Sequence, residues 1–437
     1  SAGATVSVIP FDITAIRFRS SGSGDWSSVS IWEMSYDDGS TWVPATVVPD
    51  NTYGSINVLN GHSVTVTGDL SIDETIIEAG ATVSTGAALT IADGPDADCS
   101  VSGTVETTGS GSVISTGALE FADGGTYIHN RNGGSVPTAT WATGSNCNIT
   151  GITTSLEVSS LLQSFGNFTW NCPGQTSEIN IEGNLRDIKG SFTVTSTGTQ
   201  FNRMGGTGPV TLNIGGNYTH TDGLLTLTRT AAFTMSIAGN LTLTAPGRIN
   251  MSVSSTAPGT IIVAGDFIHN GQYIGENSSN NPAGIIIFNG SGDEQTLDLG
   301  GELIATLNFV VNTGAYLQMA QPSTTITGTG AFTLSSGATL GITSAAGITS
   351  GTTLSGNIQT TGGRVYSGEA NYIYNGTGSQ VSGDGLPETV NSLGVAGTSD
   401  LTLTNGPSKS SPLIISDDLT ISSDGGLAVG PAQAVTV

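Results

Sequence analysis

Over most of the chain Val, Ile and Leu alternate with Thr and Ser at period two, the pattern of β-strands with one buried and one polar face. The Ala, Leu, Glu and Lys stretches with a 3.6-residue period that long helices need are missing. One segment reads otherwise: between Ser155 and Phe165 the spacing of Leu156, Leu161, Leu162 and Phe165 predicts a short helical turn or two. The alternation is punctuated by a phrase of Gly, then Asn or Asp, then an apolar residue. Its copies are Gly68-Asp69-Leu70, Gly166-Asn167-Phe168, Gly183-Asn184-Leu185, Gly216-Asn217-Tyr218, Gly239-Asn240-Leu241, Gly265-Asp266-Phe267 and Gly356-Asn357-Ile358. Gly and Asn tolerate positive φ best, so each copy predicts a tight corner before a strand that packs inward, as Met235 and Ile237 do before Gly239. A corner that repeats implies a cross-section that repeats, and hence a solenoid.

The segment Leu89-Thr90-Ile91-Ala92-Asp93-Gly94 returns as Leu119-Glu120-Phe121-Ala122-Asp123-Gly124, which predicts long early coils of about 30 residues whose equivalent side chains stack. With about 27 residues as the mean coil, the chain would hold roughly 14 coils. The fold expected is all-β, a right-handed parallel β-helix over residues 55–437. Asn at the corners would stack into side-chain hydrogen-bond ladders. Residues 1–54 differ: Trp26, Trp32 and Trp42, with Tyr36, Tyr53, Pro44 and Pro49, suit an N-terminal cap over the open end of the apolar core. The rival reading of these rings is a platform on which sugars stack.

Charge removes some partners from consideration. Thirty-four acidic residues against ten basic give a net charge of −24, and the basic residues form no patch, so nucleic acid is not an expected partner. No apolar run approaches the roughly 18 residues that would insert into a bilayer. The first residue, Ser1, is what an exported chain shows after removal of its leader, and the strand-like end at Val437 is expected to continue into, or be covered by, further coils or another subunit.

Candidate chemistry is sparse. Asp93, Asp96 and Asp98 form an acidic turn that is either a calcium loop or a solvated turn, and no other cofactor is expected. Cys147 and Cys172 are about one coil apart, and because adjacent strands lie roughly 4.8 Å apart an inter-coil disulfide is open to them. The other reading makes them small buried hydrophobes; Cys99 has no obvious partner. His129 and His269 recur within Ile-His-Asn, and His220 follows Tyr218 in a related phrase. A group needed once for catalysis does not recur at equivalent corners, so these histidines read as structural and no catalytic residue is assigned.

Tyr127-Ile128-His129-Asn130 followed by Gly133-Gly134, Phe165-Gly166-Asn167-Phe168-Thr169-Trp170-Asn171-Cys172, and Tyr372-Ile373-Tyr374-Asn375-Gly376 with Gly383-Asp384-Gly385-Leu386-Pro387 together resemble the large repetitive secreted proteins of Bacteroidetes. The resemblance implies a secreted or surface-anchored, adhesin-like stalk or fibre exported by type IX secretion. It also implies partners among other surface proteins, further copies of the chain, or glycans. A C-terminal immunoglobulin-like sorting domain, usual in such proteins, is not seen in these residues. The alternative from a different class is a carbohydrate-active β-helix enzyme, a lyase or glycosidase, with a glycan-binding module between the two.

Overall fold

The computed structural model describes residues 12–94, 97–253, 257–275, 283–404, 412–429 and 434–437. It is all-β, a parallel β-solenoid of about 16 turns, and it divides into two compact units, residues 1–172 and 173–437. Among the described residues helix is confined to two single 3-10 turns, Ile13–Ala15 and Val29–Ile31. The helical turn expected between Ser155 and Phe165 does not form. The segment contributes two short strands, Val158–Ser159 and Ser164–Phe165, separated by Ser160 at φ 61°, a backbone value that ends a helix. Leu161 and Phe165 are buried while Leu156 and Leu162 are exposed. The helix-like spacing therefore arises from separate extended pieces, each turning one apolar residue inward.

In the first unit Ser63–Val66, Thr82–Thr85, Thr104–Thr108, Thr126–Asn130, Asn146–Ile149 and Asn167–Asn171 stack in parallel. Their register puts Val64, Val83, Val105, Tyr127, Cys147 and Phe168 in one buried lane, with coils of about 19 to 22 residues. In the second unit ten strands among the described residues, from Phe192–Ser196 to Leu419–Ile421, stack in parallel on one face with coils of about 21 to 32 residues. The short coils of the first unit are why the turns exceed the roughly 14 that a 27-residue mean implies. Each inward Val, Leu, Ile or Phe contributes about 1.5–3 kcal/mol by leaving water. Because every lane runs through successive coils, neighbouring coils share that gain. Met235 and Ile237 are both in the core, as their alternation indicates.

The internal repeat does not report the coil. Leu89 lies beside Leu70 and Val113, whereas Leu119 lies beside Cys99, on a different face. The two copies are alike because each face needs the same local sentence, a strand with alternate burial followed by an acidic corner.

The corner glycines are explained differently from expectation. Of the seven, Gly183 and Gly356 have positive φ, at 70° and 83°, and the other five do not. At Gly239 an added Cβ would stand 2.3 Å from Asn217 Oδ1, and at Gly265 it would stand 2.2 Å from Asn240 Oδ1. Those two glycines admit the side chain of the preceding corner. The same side chains form a ladder: Asn217 Oδ1 accepts from the Asn240 N–H at 2.9 Å, Asn240 Oδ1 from the Asp266 N–H at 2.8 Å, and Asp266 Oδ1 from the Thr296 N–H at 2.8 Å. Two other copies lie elsewhere. Asp69 precedes a strand on another face, and Asn357 is buried, with its Oδ1 accepting from the N–H groups of Thr343 and Ser344.

At the start of the first unit, Arg17–Ser20 pairs antiparallel with Trp32–Ser35, which pairs antiparallel with Val43–Pro44. The other edge of Arg17–Ser20 pairs in parallel with Ile56–Val58 of the first coil. Trp26 and Trp32 are buried, their rings 4.7 Å apart, and their indole N–H groups donate to Pro49 O at 2.8 Å and Trp26 O at 2.9 Å. Two of the three tryptophans thus face the interior and offer no ring to a sugar; on the third, Trp42, the Arg19 guanidinium sits 4.4 Å from the ring centre.

Candidate functional site

Among the described residues the candidate groups of the sequence lie in three places, the acidic turn, the thiols and the buried histidines, and His62 lies apart from them with its Nδ1 2.7 Å from Ser20 Oγ. Asp93 is exposed, Asp98 is buried, and Asp96 lies outside the described residues. The neighbour that Asp98 meets is Asp73. Thr75 pairs in register with Cys99, which brings the residues before each strand, Asp73 and Asp98, together from adjacent coils. Asp98 accepts from the Gly94 N–H at 2.8 Å and from the Ala118 N–H, while Asp73 accepts from the Glu74 N–H at 2.9 Å, with Glu74 at φ 43°. The two carboxyls are close enough for each to shift the titration of the other.

This environment pushes the pair apart. The Ala118 N–H above all holds Asp98 below the usual carboxylate range, whereas burial first, and then the Asp98 carboxylate, raise Asp73. Glycine closes over both: a Cβ at Gly94 would lie 2.2 Å from Asp73 Oδ2, and one at Gly117 would lie 2.5 Å from Asp98 Oδ2. The Asp98 oxygens that accept the Gly94 and Ala118 N–H groups are thereby turned towards the backbone. Among the described residues no three His, Cys, Asp or Glu side chains converge as metal ligands.

The inter-coil disulfide is not formed; all three cysteines are free and buried. The reason is register. Cys147 stands opposite Tyr127 on one side and Phe168 on the other, so Cys172 is carried further along its coil, where its thiol donates to Ile149 O at 3.4 Å. Burial pushes the Cys99 and Cys172 thiols up to about 12 and raises Cys147 well above its ordinary value. These thiols behave as apolar packing groups.

The histidines form a repeated unit. In the first unit of the fold, Thr107 Oγ1 and Tyr127 OH are 3.0 Å apart, Tyr127 OH is 3.0 Å from His129 Nδ1, and His129 Nε2 is 2.9 Å from Gly133 O. In the second, Tyr218 OH is 3.0 Å from His220 Nδ1, and His220 Nε2 is 3.1 Å from Asp222 O. The carbonyl partner requires Nε2 to donate, so Nδ1 accepts from the tyrosine hydroxyl and the ring is neutral. Burial lowers His129 and His220 to about 4. His269 keeps the carbonyl contact, to Glu302 O at 2.9 Å, but Phe267 stands where the others have tyrosine and His269 Nδ1 has no partner. The recurrence of these histidines thus corresponds to repeated hydrogen bonding inside the coils.

Two buried glutamines escaped the reading of the sequence. Gln295 Nε2 donates to Val263 O at 3.0 Å and Gly265 O at 2.8 Å, and its Oε1 accepts from the Gly290 N–H at 2.7 Å. Gln380 repeats this with Ile342 O and Ser344 O, both at 2.9 Å, and the Gly376 N–H at 2.8 Å. The available signal was the pair of phrases Asn289-Gly290-Ser291-Gly292 before Gln295 and Asn375-Gly376-Thr377-Gly378 before Gln380. Comparison with protein-family models, with curated proteins and with solved structures returns no match for this chain.

Proposed function

We propose that this chain is a non-catalytic structural or adhesive element, a stalk or fibre module that acts outside the cell. One observation carries the reading: the side chains best suited to chemistry are bonded to the backbone of the fold, within a coil or to its neighbour. The histidines are neutral and bonded at Nε2 to backbone carbonyls, the buried acid pair accepts backbone N–H groups, and the buried glutamines clamp carbonyls of the preceding coil. A general acid or base needs a free atom facing a substrate, and these atoms face their own backbone. Outward positions supply Asn, Ser and Thr ladders, such as Asn146 with Asn167 at 3.2 Å and Asn371 with Asn391 at 2.8 Å. Export by type IX secretion, and partners among surface proteins, further copies or glycans, rest on the resemblance to repetitive secreted Bacteroidetes proteins.

The test has two arms. Purified chain incubated with pectin, alginate and chitin should release no reducing or unsaturated sugar ends, and cells displaying the chain should adhere to one another or to a glycan-coated surface more than cells without it. Reproducible sugar release that is lost in Asp98→Asn would replace this reading with an enzyme. Displayed chain that leaves adhesion unchanged would remove the adhesive part.

A further inference from the structure

In the second unit Phe201, Leu224, Arg248, Tyr273 and Glu302 stand in register on successive coils. Their strand neighbours Asn202, Leu225, Ile249 and Ile274 are buried, so Phe201, Leu224, Arg248 and Tyr273 form an outward column, each half-buried. Glu178 precedes it, paired with Arg203 at 2.7 Å, and Arg203 lies 5.5 Å from the Phe201 ring centre.

Arg248 is the unusual member. Among the described residues the other basic side chains are engaged: four arginines pair with carboxylates, three donate to backbone carbonyls, and Lys189 has its own partner. With the described residues Arg248 makes neither an ion pair nor a side-chain hydrogen bond, and its Nε is buried without an acceptor among them. Two residues on, Asn250 is 3% exposed and its Oδ1 is also unpartnered. A native fold rarely leaves a buried guanidinium N–H without an acceptor, least of all in a chain with 34 acidic residues. The nearest carboxylate in the column, Glu302, is two coils away.

We infer that this column binds a glycan that carries isolated carboxylates, with Arg248 holding one carboxylate and Tyr273, Leu224 and Phe201 receiving the apolar faces of neighbouring sugar rings. The guanidinium fork matches a carboxylate in two parallel hydrogen bonds. Coils advance by about 4.8 Å, close to the advance of one pyranose along an extended glycan, so a glycan parallel to the stack meets one column residue per sugar. A net charge of −24 disfavours a dense polyanion, and this selects sparse carboxylates and disfavours sulfated polymers or nucleic acid. A peptide adding as a strand is disfavoured because Arg248–Asn250 is paired on both sides and offers no free edge. This inference rests on the adhesive reading and names its ligand class.

The test uses the full chain immobilised, with three hexasaccharides as probes: a neutral one, the same sugar bearing a single glucuronate, and its methyl ester. The glucuronate form should bind at least tenfold more tightly than the other two, and Arg248→Gln, checked for an unchanged unfolding midpoint, should abolish that preference. Arg248→Lys should retain part of it, and Tyr273→Ala should weaken all three sugars by a similar factor. Equal binding of the three sugars, or a preference that survives Arg248→Gln, overturns the site. So does retention of an acidic peptide with no sugar bound. Displayed chain that still promotes adhesion while these probes fail leaves the adhesive reading standing and removes only this site.

Discussion

Asn217 Oδ1 stands 2.9 Å from the Asn240 backbone nitrogen one coil later, and 2.3 Å from where a Cβ on Gly239 would lie. One amide oxygen therefore ties together two features of the recurring corner phrase: an N–H that needs an acceptor, and a glycine that makes room for it. The relation repeats from Asn240 to Asp266 and Gly265.

Gly239→Ala and Gly265→Ala should each lower stability by about 1–3 kcal/mol, because the added methyl overlaps a hydrogen-bonded amide that cannot move without breaking the ladder. Gly68→Ala, where an added Cβ meets nothing within 4 Å, should stay within about 0.5 kcal/mol of wild type. Denaturant midpoints of the three variants decide it; equal effects at Gly68 and Gly239 would contradict the steric account.

Acid should destabilise the fold through its histidines. His129 and His220 titrate near 4 when folded and near the ordinary value of about 6.5 when unfolded. Between those values the unfolded chain binds protons that the folded chain refuses. Stability is therefore complete above about pH 6.5 and falls as pH drops towards 4. Asp73, raised in the fold, acts oppositely, its contribution growing as pH falls through its folded value and fading as pH rises. Unfolding midpoints measured from pH 8 to 4 should show a shallower acid decline in His220→Gln than in wild type, and Asp73→Asn should be more stable than wild type at neutral pH.

Phe267→Tyr should stabilise the second unit. A hydroxyl there would repeat the 3.0 Å contact of Tyr218 with His220 and supply the donor that His269 Nδ1 lacks. Satisfying a buried acceptor contributes about 1 kcal/mol. A raised thermal midpoint together with a shifted His269 Nδ1 nitrogen resonance is the expected result; a lowered midpoint would mean that the Phe267 site has no room for the oxygen.

The thiols should be silent in the native state. With Cys99 and Cys172 pushed up to about 12 and all three cysteines buried, a disulfide-exchange reagent at pH 8 should find no reactive thiol until denaturant is added, and then three. A non-reducing mass two units lower than the reduced mass would reveal a disulfide and overturn the register that separates Cys147 from Cys172.

The period-two alternation and the Gly-Asn corners determine by themselves that the chain is a parallel stack of short strands, because side-chain direction in a strand depends on parity alone. The inward places of Met235, Ile237, Tyr127 and His129 follow from that rule. Parity does not say which strand lies beside which. Leu89 and Leu119 have near-identical surroundings in sequence yet lie on different faces, and Cys147 meets Phe168 where spacing had allowed Cys172, because coil lengths vary with the loops between faces. The corner glycines were recognised but for a reason that holds at only two of the seven, since a close approach from the preceding coil leaves no mark in local sequence. The same limit hid the partnership of Asp73 with Asp98 and the isolation of Arg248. Both depend on what the neighbouring coil brings to a given point, and only the tertiary stack decides that.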